Sequence, residues 1–212
     1  MADGAAVSSG LSAGLFEWDR IAALAAFAFA STWTPGPNNI MLASSGATFG
    51  YRRTQPHAFG VALGFPLMLF LIAIGLGELF QASPAFRETL RWLGAALLLY
   101  LAWRIGSAGR ADAKTAARPF SFIEAAGFQW INPKAWTMAI GTASTFLTGR
   151  SPTLEAAAAA GVFVLAGIGS SQTWTAFGVG IRRLLNTEAR LRAFNIAMGL
   201  LVAACVAFLF LE

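Results

Sequence analysis

The sequence predicts an all-α, polytopic membrane protein of six transmembrane helices, with the first and fourth broken in mid-span, on three observations. The chain is 57% hydrophobic and 12% charged, with a mean hydropathy of +0.62, too apolar for a soluble domain of this length. Apolar runs long enough to cross a bilayer follow one another through most of the sequence. Two of these runs, at matching places in the two halves of the chain, are interrupted by proline beside polar residues.

The first span, Arg20 to Phe49, is longer than the roughly 20 residues a straight span needs. Its interruption reads Trp33-Thr34-Pro35-Gly36-Pro37-Asn38-Asn39-Ile40-Met41. The second runs from His57 to Phe80 and the third from Leu90 to Gly106. Gly46 with Gly50, and Gly60 with Gly64, have the small-xxx-small spacing that lets helix backbones approach, so both pairs read as packing. His57 opens the second span and reads as a solvated boundary residue, with Glu78 and Glu124 at span ends. The fourth span, Phe120 to Leu147, is again too long and is interrupted at Trp130-Ile131-Asn132-Pro133-Lys134-Ala135-Trp136-Thr137-Met138. The fifth, Leu154 to Ile181, carries a polar cluster of Ser170, Ser171, Gln172, Thr173 and Thr175. The sixth, Leu191 to Leu211, holds the single cysteine, Cys205, which excludes a disulfide scaffold and cysteine-based metal sites and reads as packing.

Loop charge sets the expected orientation. The first, third and fifth loops carry ten basic residues (Arg52, Arg53, Arg104, Arg110, Lys114, Arg118, Arg182, Arg183, Arg190 and Arg192), against four on the other side (Arg20, Arg87, Arg91 and Arg150). The positive-inside rule then puts those three loops in the cytoplasm and both termini in the periplasm. The segment from Met1 to Asp19 has no Lys or Arg, so it lacks the positive region of a cleaved secretory signal. The net charge of +5 is accounted for by these loops, so nucleic acid is not an expected partner and the lipid bilayer is.

The two interruptions align without gaps at an offset of 97 residues, pairing Trp33 with Trp130, Met41 with Met138, Thr48-Phe49 with Thr145-Phe146, and Arg53 with Arg150. Three spans per half make the second half enter the membrane from the opposite side, the inverted-repeat plan of many secondary transporters. Residues 1–212 are expected to form one membrane domain: a first half over 15–106, a cytoplasmic linker over 107–119 and a second half over 120–212.

Proline lacks an N–H, so Pro35, Pro37 and Pro133 are expected to free the carbonyls of Ser31, Trp33 and Gln129. Such backbone persists in hydrocarbon only where it lines a cavity. Each half-helix that restarts after a break turns its N–H groups and positive dipole end into that space. Pro35, Gly36, Pro37, Asn38, Asn39, Asn132, Pro133 and Lys134 are therefore the candidate substrate-binding residues, with Gln129, Ser171 and Gln172 along the pathway. Such a site suits a zwitterion: its carboxylate meets half-helix N–H groups and Lys134, while its ammonium meets carbonyls and the amides of Asn38, Asn39 or Asn132. Lys134 is the basic residue deepest in a span, where a charge marks function by default.

The Pro-Gly-Pro-Asn element at residues 35–38 and the Asn-Pro-Lys element at residues 132–134 resemble the marks of the LysE/RhtB family of bacterial amino-acid exporters. The likeness runs from about Phe16 onward and includes Gly94-Ala95-Ala96 through Tyr100-Leu101-Ala102-Trp103-Arg104. Thr34 to Ile40, Ser44-Ser45, Phe128-Gln129 and Ser144-Thr145-Phe146 are similar to the branch that contains cysteine and O-acetylserine exporters. The resemblance implies proton-coupled export of small amino acids or derivatives, cysteine/O-acetylserine-like or homoserine/threonine, from the cytoplasm across a bacterial inner membrane. No cofactor or metal is implied, and assembly into a homo-oligomer is left open. Many relatives carry Asp where this chain has Asn38, and an amide there cannot carry the proton. Rival readings are weaker. Metal-ion efflux needs clustered oxygen ligands and no pair of acids lies deep in one span; an intramembrane hydrolase needs more than a single histidine. A non-transporting membrane scaffold is opposed only by the duplicated polar breaks.

Overall fold

The computed structural model describes residues 3–77, 82–107, 118–182, 184–207 and 210, with side chains excepted for 3–17 and 76. Among them the structure is all-helical, with eight α-helices: α1 (Asp3–Trp33), α2 (Pro37–Phe49), α3 (Tyr51–Leu71), α4 (Pro84–Gly106), α5 (Phe122–Phe128), α6 (Pro133–Phe146), α7 (Pro152–Arg182) and α8 (Glu188–Ala204). A π-helical turn over Ile72–Leu76 extends α3, and a 3₁₀ turn over Gln129–Ile131 leads out of α5. Helix α1 begins well before Arg20, where the apolar pattern alone starts the first span. Glu78, Arg110, Lys114, Arg183 and most of the 107–119 linker lie outside the described residues.

The helix ends follow from local chemistry. Gly36 and Asn132 each precede a proline, which disfavours the helical conformation for the residue before it. Both are extended, at φ −172° and ψ 179° for Gly36 and φ −85° and ψ 113° for Asn132. Pro37 and Pro133 then open α2 and α6 at the first helical position, where the missing N–H has no intrahelical partner to lose. Ser121 and Glu124 close a reciprocal capping box on α5, and Arg118 grips the Glu124 carboxylate through two N–H groups at 2.6 and 2.7 Å.

Among the described residues two helical stretches are long and apolar enough to span a bilayer unaided, 51–75 with a mean hydropathy of 2.3 and 152–182 with 1.5. The breaks divide the first and fourth apolar runs into pieces such as α2 and α6, of 13 and 14 residues, too short to cross alone. The surface is apolar, with Leu165 75% exposed and Trp103, Leu154, Leu200 and Trp18 similarly bare. The interior, by contrast, buries Asn39, Thr54, His57, Gln129, Asn132, Ser170, Ser171 and Thr175. That inversion of soluble-protein order is what a lipid solvent selects.

Helix α3 packs along α7 and α4 along α8; α1 and α2 pack on α7, as α5 and α6 pack on α3. The α2–α7 seam depends on missing side chains. A Cβ at Gly46 would strike the Thr175 carbonyl, and one at Gly178 the Ala43 carbonyl. Gly60 and Gly64 of α3 likewise face the backbone of α5, at Phe122 and Ala126. Gly50 differs from the packing reading. It is the turn between α2 and α3, at φ 83°, a conformation that favours glycine. Side-chain proximities sort the loops into two ends. Arg182 Nη1 reaches the Gly50 turn, within 3.5 Å of where a Cβ would lie, and the Phe120 ring lies tilted beside His57 at 5.3 Å, so the described residues of the first, third and fifth loops gather at one end. Near the opposite end, Trp92 of α4 meets Phe210 at 5.1 Å.

Gly178→Ala should cost about 1–3 kcal/mol through the α2–α7 clash and lower the thermal unfolding midpoint in detergent. Gly180→Ala on the same helix, where a Cβ meets nothing within 4 Å, should leave that midpoint unchanged.

Candidate functional site

The two breaks meet. A cavity of about 50 Å³, several times what one ordered water needs, is lined by Gly36, Asn38 and Asn39 of the first break and Asn132 and Lys134 of the second. The fourth apolar run also contributes Gln129 and the fifth Ser171. Pro35, Pro37 and Pro133 do not line this space; they set the backbone that does. Gln172 is turned away from it. It accepts from the Tyr51 hydroxyl at 2.6 Å and donates to Gln55 Oε1 at 3.0 Å, which fixes α7 to α3 instead of lining the pathway. Adjacent residues on a helix point about 100° apart, so Ser171 inward places Gln172 on another face.

At the end of α1 the polar accounts are settled by side chains. Asn39 Nδ2 donates to the carbonyls of both Thr32 and Thr34, each at 2.9 Å. Ser170 of α7 donates to the Thr32 carbonyl at 2.7 Å, and the Lys134 ammonium to the Thr34 carbonyl at 2.6 Å. The carbonyls that attract donors are thus those of Thr32 and Thr34, not the Ser31 and Trp33 carbonyls expected from proline alone. The reason is that the chain leaves the helix at residues 34–36, so Gly36, although it has an N–H, is extended and cannot return it to Thr32. The Gln129 carbonyl is not freed either, since it accepts the Asn132 N–H at 3.3 Å within the 3₁₀ turn.

A pair of amides ties the breaks together. Asn38 Nδ2 donates to Gln129 Oε1 at 2.9 Å, and Gln129 Nε2 donates back to Asn38 Oδ1 at 3.3 Å and to the Ala125 carbonyl at 2.9 Å. Gln129 is fully buried, so this pair is the polar alternative to two unsatisfied amides. Lys134 lies across Gly36; a Cβ there would sit 2.9 Å from its Cδ and 3.2 Å from its Nζ. Its ammonium therefore stands beside the start of α2, whose first turn has no side-chain cap. Asn132, by contrast, caps α6 by accepting the Lys134 N–H at 3.2 Å. An ammonium and an uncapped helix N-terminus converge on one place, which favours an anion between them.

Several lining residues were not among the candidates read from the sequence. Ser31 and Thr32 of α1, Val61, Ala62, Phe65 and Pro66 of α3, and Phe163, Gly167 and Ser170 of α7 complete the wall. Phe65 and Phe163 pack edge to face at 5.1 Å and make its apolar end. His57 is buried rather than solvated, with Ser45 Oγ 3.2 Å from its Nδ1, and it does not line the cavity.

The model of the LysE type translocator family matches residues 29–212. The chain is 31% identical over 178 residues to a cysteine/O-acetylserine efflux protein of Salmonella paratyphi A, covering 84% of this chain and 90% of that protein. The cysteine/O-acetylserine efflux protein of Escherichia coli K12 is 31% identical over 179 residues, with the same coverage. No solved structure gives a significant match.

Removing one member of the amide pair, as in Gln129→Leu, should destabilise the protein by about 1–3 kcal/mol because Asn38 is left without its partner. The double variant Asn38→Leu, Gln129→Leu should recover part of that loss. Thermal unfolding of wild type, the two single variants Asn38→Leu and Gln129→Leu, and the double variant in detergent reads the coupling.

Proposed function

The chain belongs to the LysE type translocator family of membrane transporters, and from that premise we propose that it exports a small neutral amino acid through the cavity between its two helix breaks. The substrate class is cysteine and O-acetylserine, or homoserine and threonine. The observation that carries this reading is that one cavity collects polar groups from both breaks, 91 residues apart at the Asn38–Gln129 bond. A scaffold needs no such space.

In this reading the substrate carboxylate sits between the Lys134 ammonium and the N–H groups at the start of α2. It competes with the Thr34 carbonyl for Lys134. Its short side chain lies toward Phe65, Met138 and Phe163, where apolar burial favours it without a polar partner. Asn38, Asn39, Asn132 and Gln129 hold the walls and offer amide groups. Pro35, Gly36, Pro37 and Pro133 shape the backbone around the ligand.

The architecture we propose is six spans in two inverted halves, with α1–α2 and α5–α6 as the broken first and fourth. The packing supports it: exchanging the halves maps α3 on α7 onto itself, α4 on α8 onto itself, and α1 on α7 onto α5 on α3. The gathering of the first, third and fifth loops at one end supports a cytoplasmic face there and periplasmic termini, in a bacterial inner membrane. Rocking of one half against the other around the cavity would expose it to each side in turn. Coupling to the proton gradient belongs to the same reading. Asn38 is neutral, so the proton is carried by a group other than Asn38.

The test is export of labelled cysteine, O-acetylserine, homoserine and threonine from cells or into everted vesicles. Wild-type protein should move at least one of them. The double variant Lys134→Ala, Asn38→Ala should fall to the vector background at unchanged membrane abundance, whereas wild-type rates in that variant would refute the site.

A further inference from the structure

We propose that the cavity contains a receptor for the substrate's ammonium that comes from α3 and α7: the main-chain carbonyl of Ala62, freed by Pro66 and met by α7 at the side-chain-free Gly167. The inference rests on the amino-acid export reading and supplies the partner for the charge that reading leaves unmatched.

The carbonyls of Thr32 and Thr34 at the first break are engaged before a substrate arrives. A carbonyl oxygen accepts two hydrogen bonds. The Thr32 carbonyl already has two donors, Asn39 and Ser170; the Thr34 carbonyl has Asn39 and Lys134, and the one acceptor position it regains when Lys134 turns to the substrate lies beside the carboxylate pole. Asn38 Oδ1 is engaged by Gln129 and Asn132 Oδ1 by the Lys134 N–H. The acceptors built around the first break are largely occupied by the protein's own donors.

Helix α3 provides another. Pro66 lies inside it, four residues after Ala62, and is buried. Proline has no N–H to return to the carbonyl four residues earlier, so the Ala62 oxygen is denied its helical partner. Ala62 and Pro66 both line the cavity. In a membrane interior an unmatched carbonyl is tolerated only where water, protein or a ligand meets it. Helix α7 crosses at this point with a glycine: a Cβ at Gly167 would lie 3.3 Å from the Ala62 oxygen and 3.4 Å from its Cα. Gly167 also lines the cavity, so α7 meets the buried Ala62 oxygen at the cavity wall with no side chain of its own between them. The buried, proline-freed acceptor lies in the same small space as Lys134. A zwitterion therefore has opposite poles to bind, an ammonium at Ala62 and a carboxylate toward Lys134.

The experiment is competition against labelled cysteine entering everted vesicles. The competitors are unlabelled cysteine and 3-mercaptolactate, which carries a hydroxyl where cysteine carries the ammonium. Wild type should prefer cysteine by about tenfold or more, the worth of one charged hydrogen bond. Pro66→Ala restores an N–H to the Ala62 carbonyl and should weaken inhibition by cysteine about tenfold while leaving 3-mercaptolactate unaffected. Gly167→Ala should act in the same direction by crowding the oxygen. Pro56→Ala, in the exposed first turns of the same helix, should keep the wild-type preference and controls for proline loss as such. Undiminished preference for cysteine in both Pro66→Ala and Gly167→Ala overturns the assignment even where Lys134→Ala abolishes transport. Equal weakening of both competitors in Pro66→Ala does so too, since it reports a general distortion. If wild type moves none of the four amino acids, the export reading fails and this inference with it.

Discussion

The carbonyls at the end of α1 are the constraint on which the rest of the interior depends. A helix that stops inside hydrocarbon leaves its last acceptors without water, and each must find a donor or the break is not stable. Here the donors arrive from three directions: Asn39 from the restarted helix, Ser170 from α7 and Lys134 from the other broken run. Satisfying one backbone defect therefore draws three elements to a common centre. The cavity is what remains between them once those bonds are made.

The same requirement explains why the glycines matter. Donors on α7 can reach the α1 break only if α7 lies close to α2, and that closeness exists because Gly46 and Gly178 place no Cβ between the two backbones. On the other side Gly60 and Gly64 let α5 press against α3, which holds Gln129 where it meets Asn38. Packing by small residues thus sets the polar network, and the polar network sets the site. Because lipid offers no hydrophobic drive for helices to associate, close van der Waals contact and internal hydrogen bonds have to supply the association.

Much of this was legible in the amino-acid order. Proline with glycine and asparagine inside an apolar run has few physical readings, and the restart of α2 and α6 at Pro37 and Pro133 is a local property of the chain. Lys134 was legible because a charge deep in an apolar run needs a reason. The far wall was not. Phe65, Ala62 and Phe163 lie in runs that are apolar on every side, so no periodicity marks the face that turns inward. Pro66 sits in such a run without polar neighbours and carries no sign of the cavity it borders. Gln172 was misplaced for a related reason, since a run of six consecutive polar or aromatic residues from Ser170 does not say which one faces the cavity, and only Ser170 and Ser171 line it. His57 shows the same limit, being buried by Phe120 from a loop distant in sequence.

The transport reading turns on both helix breaks holding a single amino-acid ligand. A structure of the protein in lipid with O-acetylserine bound tests it most directly. The account requires the ligand between Gly36 and Lys134, its carboxylate at the start of α2 and the Lys134 ammonium moved from the Thr34 carbonyl onto it. A ligand bound elsewhere, with the bond from Lys134 to Thr34 intact and the cavity unchanged, would contradict it.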